Sequence, residues 1–148
     1  MTNEQTDNWL VHDHRRFEGT LKNAIQAAEM GQWKQAIEQY RLFVQDLHQH
    51  MEMEDRVIYP AIEQAQGDPG GDLAELREEH LDIVRLLRGL EHVIRGRDLD
   101  HLIASLRPLY RAMREHDRFE EEVLENTTVT GLFEDRDEIL RRLQALGE

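Results

Sequence analysis

Apolar residues recur every three or four positions along four long segments of the chain, which is the spacing of helices that each bury one face. The segments extend over about residues 7–30, 32–66, 72–96 and 98–126. Only a few residues connect neighbouring segments, so consecutive helices must run antiparallel. The pattern therefore predicts an all-α fold, an up-down-up-down four-helix bundle over about residues 7–126.

Two prolines and one acidic residue refine the helix boundaries. Pro60 predicts a kink or an early end of the second helix near Tyr59, and Pro108 predicts a second kink in the fourth helix. Asp72, followed three residues later by Glu75, has the pattern of a helix N-cap. We therefore expect the third helix to begin at this aspartate.

The C-terminal part of the chain departs from the long-helix pattern. The residues Asn-Thr-Thr-Val-Thr-Gly at 126–131 form a break, and a short amphipathic helix is predicted over about residues 132–146. Its apolar side carries Leu132, Ile139, Leu140 and Leu143. This helix either caps the bundle or pairs with a second copy of the chain as a homodimer, and the sequence leaves both alternatives open. Residues 1–148 are expected to form a single domain.

Composition narrows the function classes. The formal net charge of −13 repels phosphate, so neither nucleic acid nor an anionic membrane is an expected partner. No apolar stretch reaches the length of about 18 residues that a membrane span needs, and the first ten residues lack the pattern of a secretory signal. A cytoplasmic location is therefore expected. The chain has no cysteine, so any bound metal must be held by imidazole and carboxylate groups.

Polar side chains interrupt the four apolar seams at a small number of positions. One is Tyr40, which we expect to form a hydrogen bond within the core. The others are all capable of binding metals: His14, His50, Glu54, His80, His116 and Glu120. The remaining histidines lie off the seams: His12, His48, His92 and His101. Helix phase thus separates inward from outward histidines.

Spacing groups these inward residues into pairs. A glutamate four residues after a histidine lies on the same helix face, and only His50/Glu54 and His116/Glu120 place both members on the core face. The separation of 36 residues between His14 and His50 recurs between His80 and His116. The chain therefore consists of two similar helical hairpins, which bring the six groups to one level of the bundle.

A buried carboxylate requires a compensating positive charge. One interpretation is a hydrogen-bonded network in which protonated histidines pair with glutamates. The second is a dinuclear metal centre in which both glutamates bridge, so that each metal has two imidazole nitrogens and two carboxylate oxygens. With a bridging oxide or hydroxide, one coordination position per metal stays open. This ligand set suits iron, with zinc or manganese as alternatives.

Acidic residues adjoin four of the predicted ligands. Asp13 and Glu79 directly precede histidines, and they either accept hydrogen bonds from metal-binding histidines or remain solvated charges. Asp55 and Glu121 directly follow the two glutamates and are expected to be surface charges.

The motifs resemble those of the hemerythrin-like HHE cation-binding domains. The resemblance rests on Asp13-His14, HMEMEDRVIYP at 50–60, Glu79-His80 and HDRFEEEVL at 116–124, and it covers roughly residues 8–126. It implies a left-handed four-helix bundle with a carboxylate-bridged, non-haem di-iron site. Members of this family bind or sense oxygen, handle nitric oxide or peroxide, or take part in iron homeostasis and iron–sulfur repair.

The sequence also departs from some of these relatives. Oxygen-carrying hemerythrins have a fifth histidine from an H-x-x-x-H pair on the third helix, whereas Leu76 and Val84 lie four residues from His80. This difference argues against reversible oxygen carriage. The iron–sulfur repair relatives carry a cysteine-bearing N-terminal segment that this sequence does not contain.

The leading hypothesis is therefore a protein that holds two iron ions and binds a small diatomic ligand, dioxygen or nitric oxide, for sensing, storage or protection. No catalytic residue is assigned. One alternative is an enzyme that reduces nitric oxide or decomposes peroxide at the same centre. Another is a domain in which zinc or iron only locks the bundle.

Overall fold

A computed structural model describes residues 8–127 and 130–147, and within these ranges it contains helices and no strand. The α-helices are α1 (Trp9–Glu29), α2 (Trp33–Met53), α3 (Tyr59–Gln66), α4 (Asp72–Arg95), α5 (Leu99–Glu125) and α6 (Arg136–Leu146). A π-helical turn, Glu54–Ile58, joins α2 to α3, and a 3-10 turn, Thr130–Phe133, precedes α6. The predicted start at Asp7, together with Thr128 and Val129 of the predicted break, lies outside the described residues.

The long helices form a four-membered bundle. Helices α1 and α2 make one antiparallel hairpin, and α4 and α5 make the other; the hairpins meet where α1 contacts α5 and α2 contacts α4. The second member of the bundle is the continuous run of α2, the π turn and α3. The predicted all-α bundle with an additional C-terminal helix is confirmed.

The apolar core is divided into two clusters. The larger cluster includes Phe17, Tyr40, Phe43, Leu47, Ile83, Leu87, Leu106 and Leu109. The smaller cluster includes Trp9, Leu10, Met53, Ile58, Tyr59, Ile62, Leu76 and Ile139. The Tyr40 hydroxyl donates a hydrogen bond to the Leu87 carbonyl at 2.7 Å, as expected for a buried phenol. On α1, α4 and α5 the predicted metal-binding residues lie between the two clusters in chain position, and on the second bundle member His50 and Glu54 flank the boundary between Met51 and Met53.

The irregularity predicted at Pro60 takes the form of the π turn rather than a break. Proline lacks an N–H, and its ring would clash with the carbonyl of Arg56 in a regular α-helix. The turn widens here, and the Tyr59 N–H donates to the carbonyl of Glu54, five residues earlier. As a result Ile58 and Tyr59 are both fully buried although they are consecutive. Pro108, by contrast, lies inside the uninterrupted helix α5.

The predicted N-cap of α4 is wrong. Asp72 is the first helical residue, and Gly71 occupies the cap position in a left-handed conformation with φ of 74°. The Asp68 carboxylate instead accepts hydrogen bonds from the N–H groups of Leu73 and Ala74 at 3.0 and 3.2 Å. Glycine adopts this φ without strain, and the resulting turn brings the earlier aspartate beneath the first helical turn.

Helix α6 folds back onto its own bundle. Ile139 is 1% exposed, and Leu140 and Leu143 pack against the smaller core cluster. The indole N–H of Trp9 donates to the Leu132 carbonyl at 3.0 Å, which fixes the segment that leads into α6. Capping of the bundle is therefore observed, and the homodimer stays a prediction. Within the described residues, no helix combines the length and the apolar character needed to cross a membrane.

Candidate metal centre

All six predicted ligands converge in the layer between the two core clusters, and none is more than 5% exposed. Their donor atoms form two groups, in each of which the atoms lie within 4.8 Å of one another. Position A consists of His14, His50, Glu54 and Glu120, and position B consists of Glu54, His80, His116 and Glu120. Each position therefore has two histidines of its own, and both glutamates belong to both positions.

The two oxygens of Glu54 face different positions. Oε2 lies 3.2 Å from Nε2 of His50 in position A, and Oε1 lies 3.0 Å from Nε2 of His80 in position B. A carboxylate in this orientation can place one oxygen on each of two metal ions. Glu54 is the first residue of the π turn, so its side chain still follows the phase of α2.

The two oxygens of Glu120 also face different positions. Its Oε1 lies 3.0 Å from Nε2 of His14 in position A, and its Oε2 lies 3.9 Å from Nε2 of His116 in position B. In position B the Nε2 atoms of His80 and His116 approach each other to 3.1 Å. When His80 is protonated, its Nε2–H donates to Nε2 of His116 at this distance, and without that proton the same spacing suits two ligands of one metal ion.

Buried polar atoms without hydrogen-bond partners test whether the residues fit a metal. Among the described residues, Nε2 of His50, both oxygens of Glu54 and Oε1 of Glu120 are buried and have no aligned hydrogen-bond partner, although they lie near one another. Leaving such groups unpaired costs about 1–3 kcal/mol each, and more for charged groups. These unpartnered atoms face positions A and B, so the residues present fit a bound cation.

The electrostatics of the layer also favour cations. Burial raises the pKa of Glu120, and the neighbouring charge of Glu54 raises it further. Burial opposes the charged form of Glu54 as well, but the charge of His50 and the close contacts with His50 and His80 hold the pKa of this carboxyl well below its usual range. Protons on the histidines therefore compensate the buried carboxylates in this structure, and a bound cation would compensate them in the same way.

Three of the four histidines hold protons more tightly than usual. Although burial lowers the pKa of His50, the charge of Glu54 and a hydrogen bond to Asp13 raise it to about 9. Burial likewise opposes protonation of His80, but hydrogen bonds with Asp55 and Glu54 raise its pKa to about 10. The pKa of His14 is raised in the same way by its carboxylate neighbours. Burial lowers the pKa of His116.

Each histidine is oriented by a carboxylate on a neighbouring helix. The Nδ1–H groups donate in the pairs His14–Glu121 at 2.9 Å, His50–Asp13 at 2.9 Å, His80–Asp55 at 2.8 Å and His116–Glu79 at 2.7 Å. These hydrogen bonds fix the ring orientation and leave every Nε2 free to face the centre.

The orienting carboxylates settle the sequence alternatives for four acidic residues. Asp13 and Glu79 accept hydrogen bonds from histidines, so the solvated alternative is wrong for both. Asp55 and Glu121 were expected to be surface charges, and this prediction is also wrong. Their side chains are 36% and 41% exposed but point along the bundle surface to a histidine of the adjacent helix.

Asp13 is the most buried of these acceptors, with 1% exposure. Burial alone would raise its pKa, but the hydrogen bond and charge of His50, together with Arg16 and Arg136, lower the pKa to about 2. Arg16 donates from Nη1 to Oδ1 at 2.6 Å, and Arg136 donates from Nε to Oδ2 at 3.1 Å. This carboxylate is therefore ionised at neutral pH.

Tyr59 is a site residue that the sequence did not reveal. It is fully buried, its hydroxyl donates a hydrogen bond to Oε2 of Glu120, and its ring stacks on His80 with centroids 5.8 Å apart. Burial and then the charges of Glu120 and Glu54 raise its pKa well above the usual range, so the hydroxyl stays protonated. The position of Tyr59 relative to Glu54 depends on the π turn. Pro60 predicts an irregularity at this point but does not indicate that it takes the form of a π turn.

A cavity of about 250 Å³ reaches position A between α1 and α5. Its lining residues are Val11, His14, Arg15, Glu18, Arg114, Asp117, Arg118 and Glu121. Oδ1 of Asp117 lies 3.5 Å from Nε2 of His14, and burial raises the pKa of this aspartate to about 6. The cavity therefore brings open space to the side chains of His14 and Asp117.

Comparison with known proteins identifies the family. The family model described as hemerythrin HHE cation binding domain matches residues 5–127, which confirms the resemblance and includes all six residues of positions A and B. No match was found among curated proteins or among solved structures. The family match covers well over half of the chain. The chain therefore belongs to the hemerythrin HHE cation binding domain family.

Proposed function

We propose that the protein binds two iron ions, one at position A and one at position B, and that the pair binds a small diatomic ligand, dioxygen or nitric oxide. The observation that carries this proposal is the sharing of Glu54 and Glu120 by two four-residue groups, each of which has its own pair of histidines. A site for one metal does not need two complete groups that overlap in both carboxylates.

The donor set supports iron as the metal. Each position offers two imidazole nitrogens and two carboxylate oxygens, a mixture that suits iron, zinc and manganese and that calcium or magnesium seldom uses. Iron prefers more ligands than these four, so a bound iron pair supplies coordination positions for a small ligand and can exchange electrons with it. Membership of a cation-binding family supports metal binding at this layer.

The surrounding residues have separate roles in the proposal. The four orienting carboxylates hold the imidazoles with Nε2 inward, and the two apolar clusters limit water at the layer. Tyr59 donates to Glu120 and so holds one bridging carboxylate in place. The cavity beside Asp117 admits a small molecule to position A.

Metal content tests the first part of the proposal. Elemental analysis of protein loaded with ferrous iron under anaerobic conditions should give about two metal ions per chain, one for each group of donors. Glu54→Ala should lower this number because it removes a shared carboxylate. Glu52→Ala changes an exposed glutamate on the same helix and should not. Equal losses from the two variants would contradict the assignment of positions A and B.

Gas exposure tests the second part. The iron-loaded protein is exposed first to air and then, in a separate anaerobic sample, to nitric oxide. A charge-transfer absorption band that disappears when the gas is removed supports ligand binding. The absence of any spectral change with either gas would overturn the proposal and would favour a metal that only locks the bundle.

Asp117 favours an enzyme as the second candidate function. A carboxyl group whose pKa is raised to about 6 can donate a proton near neutral pH, and this one lies beside His14. Reduction of nitric oxide and decomposition of peroxide both require protons. If the protein is such an enzyme, Asp117→Asn should lower its turnover while the metal content stays the same. Unchanged turnover in this variant would argue against that role.

A further inference from the structure

One side chain connects the C-terminal helix to the metal centre. Arg136 is the first residue of α6, and its Nε–H donates to Oδ2 of Asp13 at 3.1 Å. The same oxygen accepts the hydrogen bond from Nδ1 of His50 at 2.9 Å. A path of two hydrogen bonds therefore leads from α6 to a ligand of position A.

A second set of contacts joins the same elements. The guanidinium of Arg136 lies 5.9 Å from the centre of the Trp9 ring, and the Trp9 ring packs edge-on against His50 with centroids 5.9 Å apart. The Trp9 indole also donates to the carbonyl of Leu132 in the segment before α6. Two neighbours of His50, the aspartate and the tryptophan, are thus held by the C-terminal segment.

Position B lacks this connection. The second hairpin repeats the first at an offset of 66 residues, so Glu79 corresponds to Asp13 and Asp82 corresponds to Arg16. The Glu79 side chain is 30% exposed. In the described part of the chain it accepts a hydrogen bond from His116, and the charged groups near it include Asp82 and Glu115. No arginine of the described residues holds it, whereas Asp13 is held by two.

We propose that Arg136 is a positioning residue that couples the docking of α6 to metal binding at position A through Asp13 and His50. The inference rests on the proposed function, because it requires a metal at position A. Coupling is reciprocal: if docked α6 strengthens metal binding, then bound metal must strengthen the docking of α6 by the same factor. Position B is expected to be independent of Arg136, because neither of its own histidines is oriented by a carboxylate that Arg136 holds.

Metal titration of separate positions tests this coupling. His116→Ala disables position B and leaves position A complete, whereas His50→Ala does the reverse. In the His116→Ala background, Arg136→Ala should weaken cobalt(II) binding about tenfold, the lower end of the effect of changing residues that support metal ligands. In the His50→Ala background, Arg136→Ala should have no effect. Arg141→Ala, at an exposed position of the same helix, is the matched control.

Two further variants separate the hydrogen bond from the packing. Arg136→Met keeps an unbranched side chain on the Trp9 ring but cannot donate to Asp13, so it should weaken metal binding as Arg136→Ala does. Arg136→Lys retains a donor and should restore most of the affinity. If circular dichroism shows that Arg136→Ala has lost helical structure, the comparison of Arg136→Met with Arg136→Lys tests the same hydrogen bond.

Hydrogen exchange provides a readout from the other end of the path. In the unsubstituted protein, cobalt(II) loading should slow amide exchange in residues 136–146, and Arg136→Met should remove this protection. An unsubstituted protein that binds no cobalt would refute the proposed function. If the protein binds cobalt normally and the Arg136 substitutions have equal effects in both backgrounds, or no effect in either, the coupling is refuted. The proposed function is then unaffected.

Discussion

Raising the pH should destabilise the metal-free protein. The pKa values of His50 and His80 are about 9 and about 10 in the folded chain, compared with about 6.5 for an unperturbed histidine. Because folding raises both values, the stabilisation is fully present below about pH 6.5 and is lost as the pH rises through the folded pKa values. The free energy of unfolding should therefore fall between about pH 6.5 and pH 10.

The expected loss is large compared with the stability of a domain. For His50, which is almost fully buried, a rise in pKa from 6.5 to about 9 corresponds to about 3 kcal/mol. His80 and His14, whose pKa values are also raised, act in the same direction. The pKa of His116 is lowered, so its opposite contribution falls below this pH range. Domains are typically stable by only about 5–15 kcal/mol.

Urea unfolding of chelator-treated protein at about pH 6.5, 7.5 and 9 measures this loss. His50→Gln should reduce the pH dependence, whereas His48→Gln changes an exposed histidine and should leave it unchanged. In the metal-loaded protein the metal replaces the protons, so stability should not fall over this range. A metal-free protein whose free energy of unfolding stays constant or rises from pH 6.5 to 9 would refute the reasoning.

Three further substitutions test individual contacts. Asp55→Asn weakens the acceptor of the His80 Nδ1–H and should lower metal affinity by about 10–100-fold in a chelator competition, whereas Glu52→Gln should not change it. Tyr59→Phe leaves Glu120 without its donor and should cost the metal-free protein about 1–3 kcal/mol in urea unfolding; an unchanged stability would contradict the hydrogen bond. Phe43→Ala should cost about 3–5 kcal/mol through a cavity in the larger cluster, and the metal content per folded chain should stay the same.

The bundle and the convergence of the six residues could be predicted because both depend on helix phase. Apolar residues at helical spacing define a seam, and residues such as His50 and Glu54 fall on it by counting. The off-seam His48 is exposed in the structure, as this counting requires. The direction in which a side chain points from a straight helix depends only on its position along that helix, so a single sequence is enough to predict it.

Features that depend on contacts between helices could not be predicted in this way. Asp55 and Glu121 lie just off the seam, where sequence cannot distinguish a solvated carboxylate from one that reaches a histidine of the next helix. The π turn shifts the phase after Glu54, and only this shift buries Tyr59 beside the metal layer. The docking of α6 likewise depends on the three-dimensional position of Asp13, far away in sequence.

The symmetry of the ligands contrasts with the asymmetry around them. Positions A and B have the same donor types from corresponding places in the two hairpins. At the repeat offset of 66 residues, however, Asp117 corresponds to the buried Met51, and Tyr59 corresponds to the exposed Glu125. A carboxyl group and a cavity therefore adjoin position A, whereas a phenol stacks beside position B. Since the donor types match, these surroundings would distinguish the reactivity of a metal at position A from that of a metal at position B.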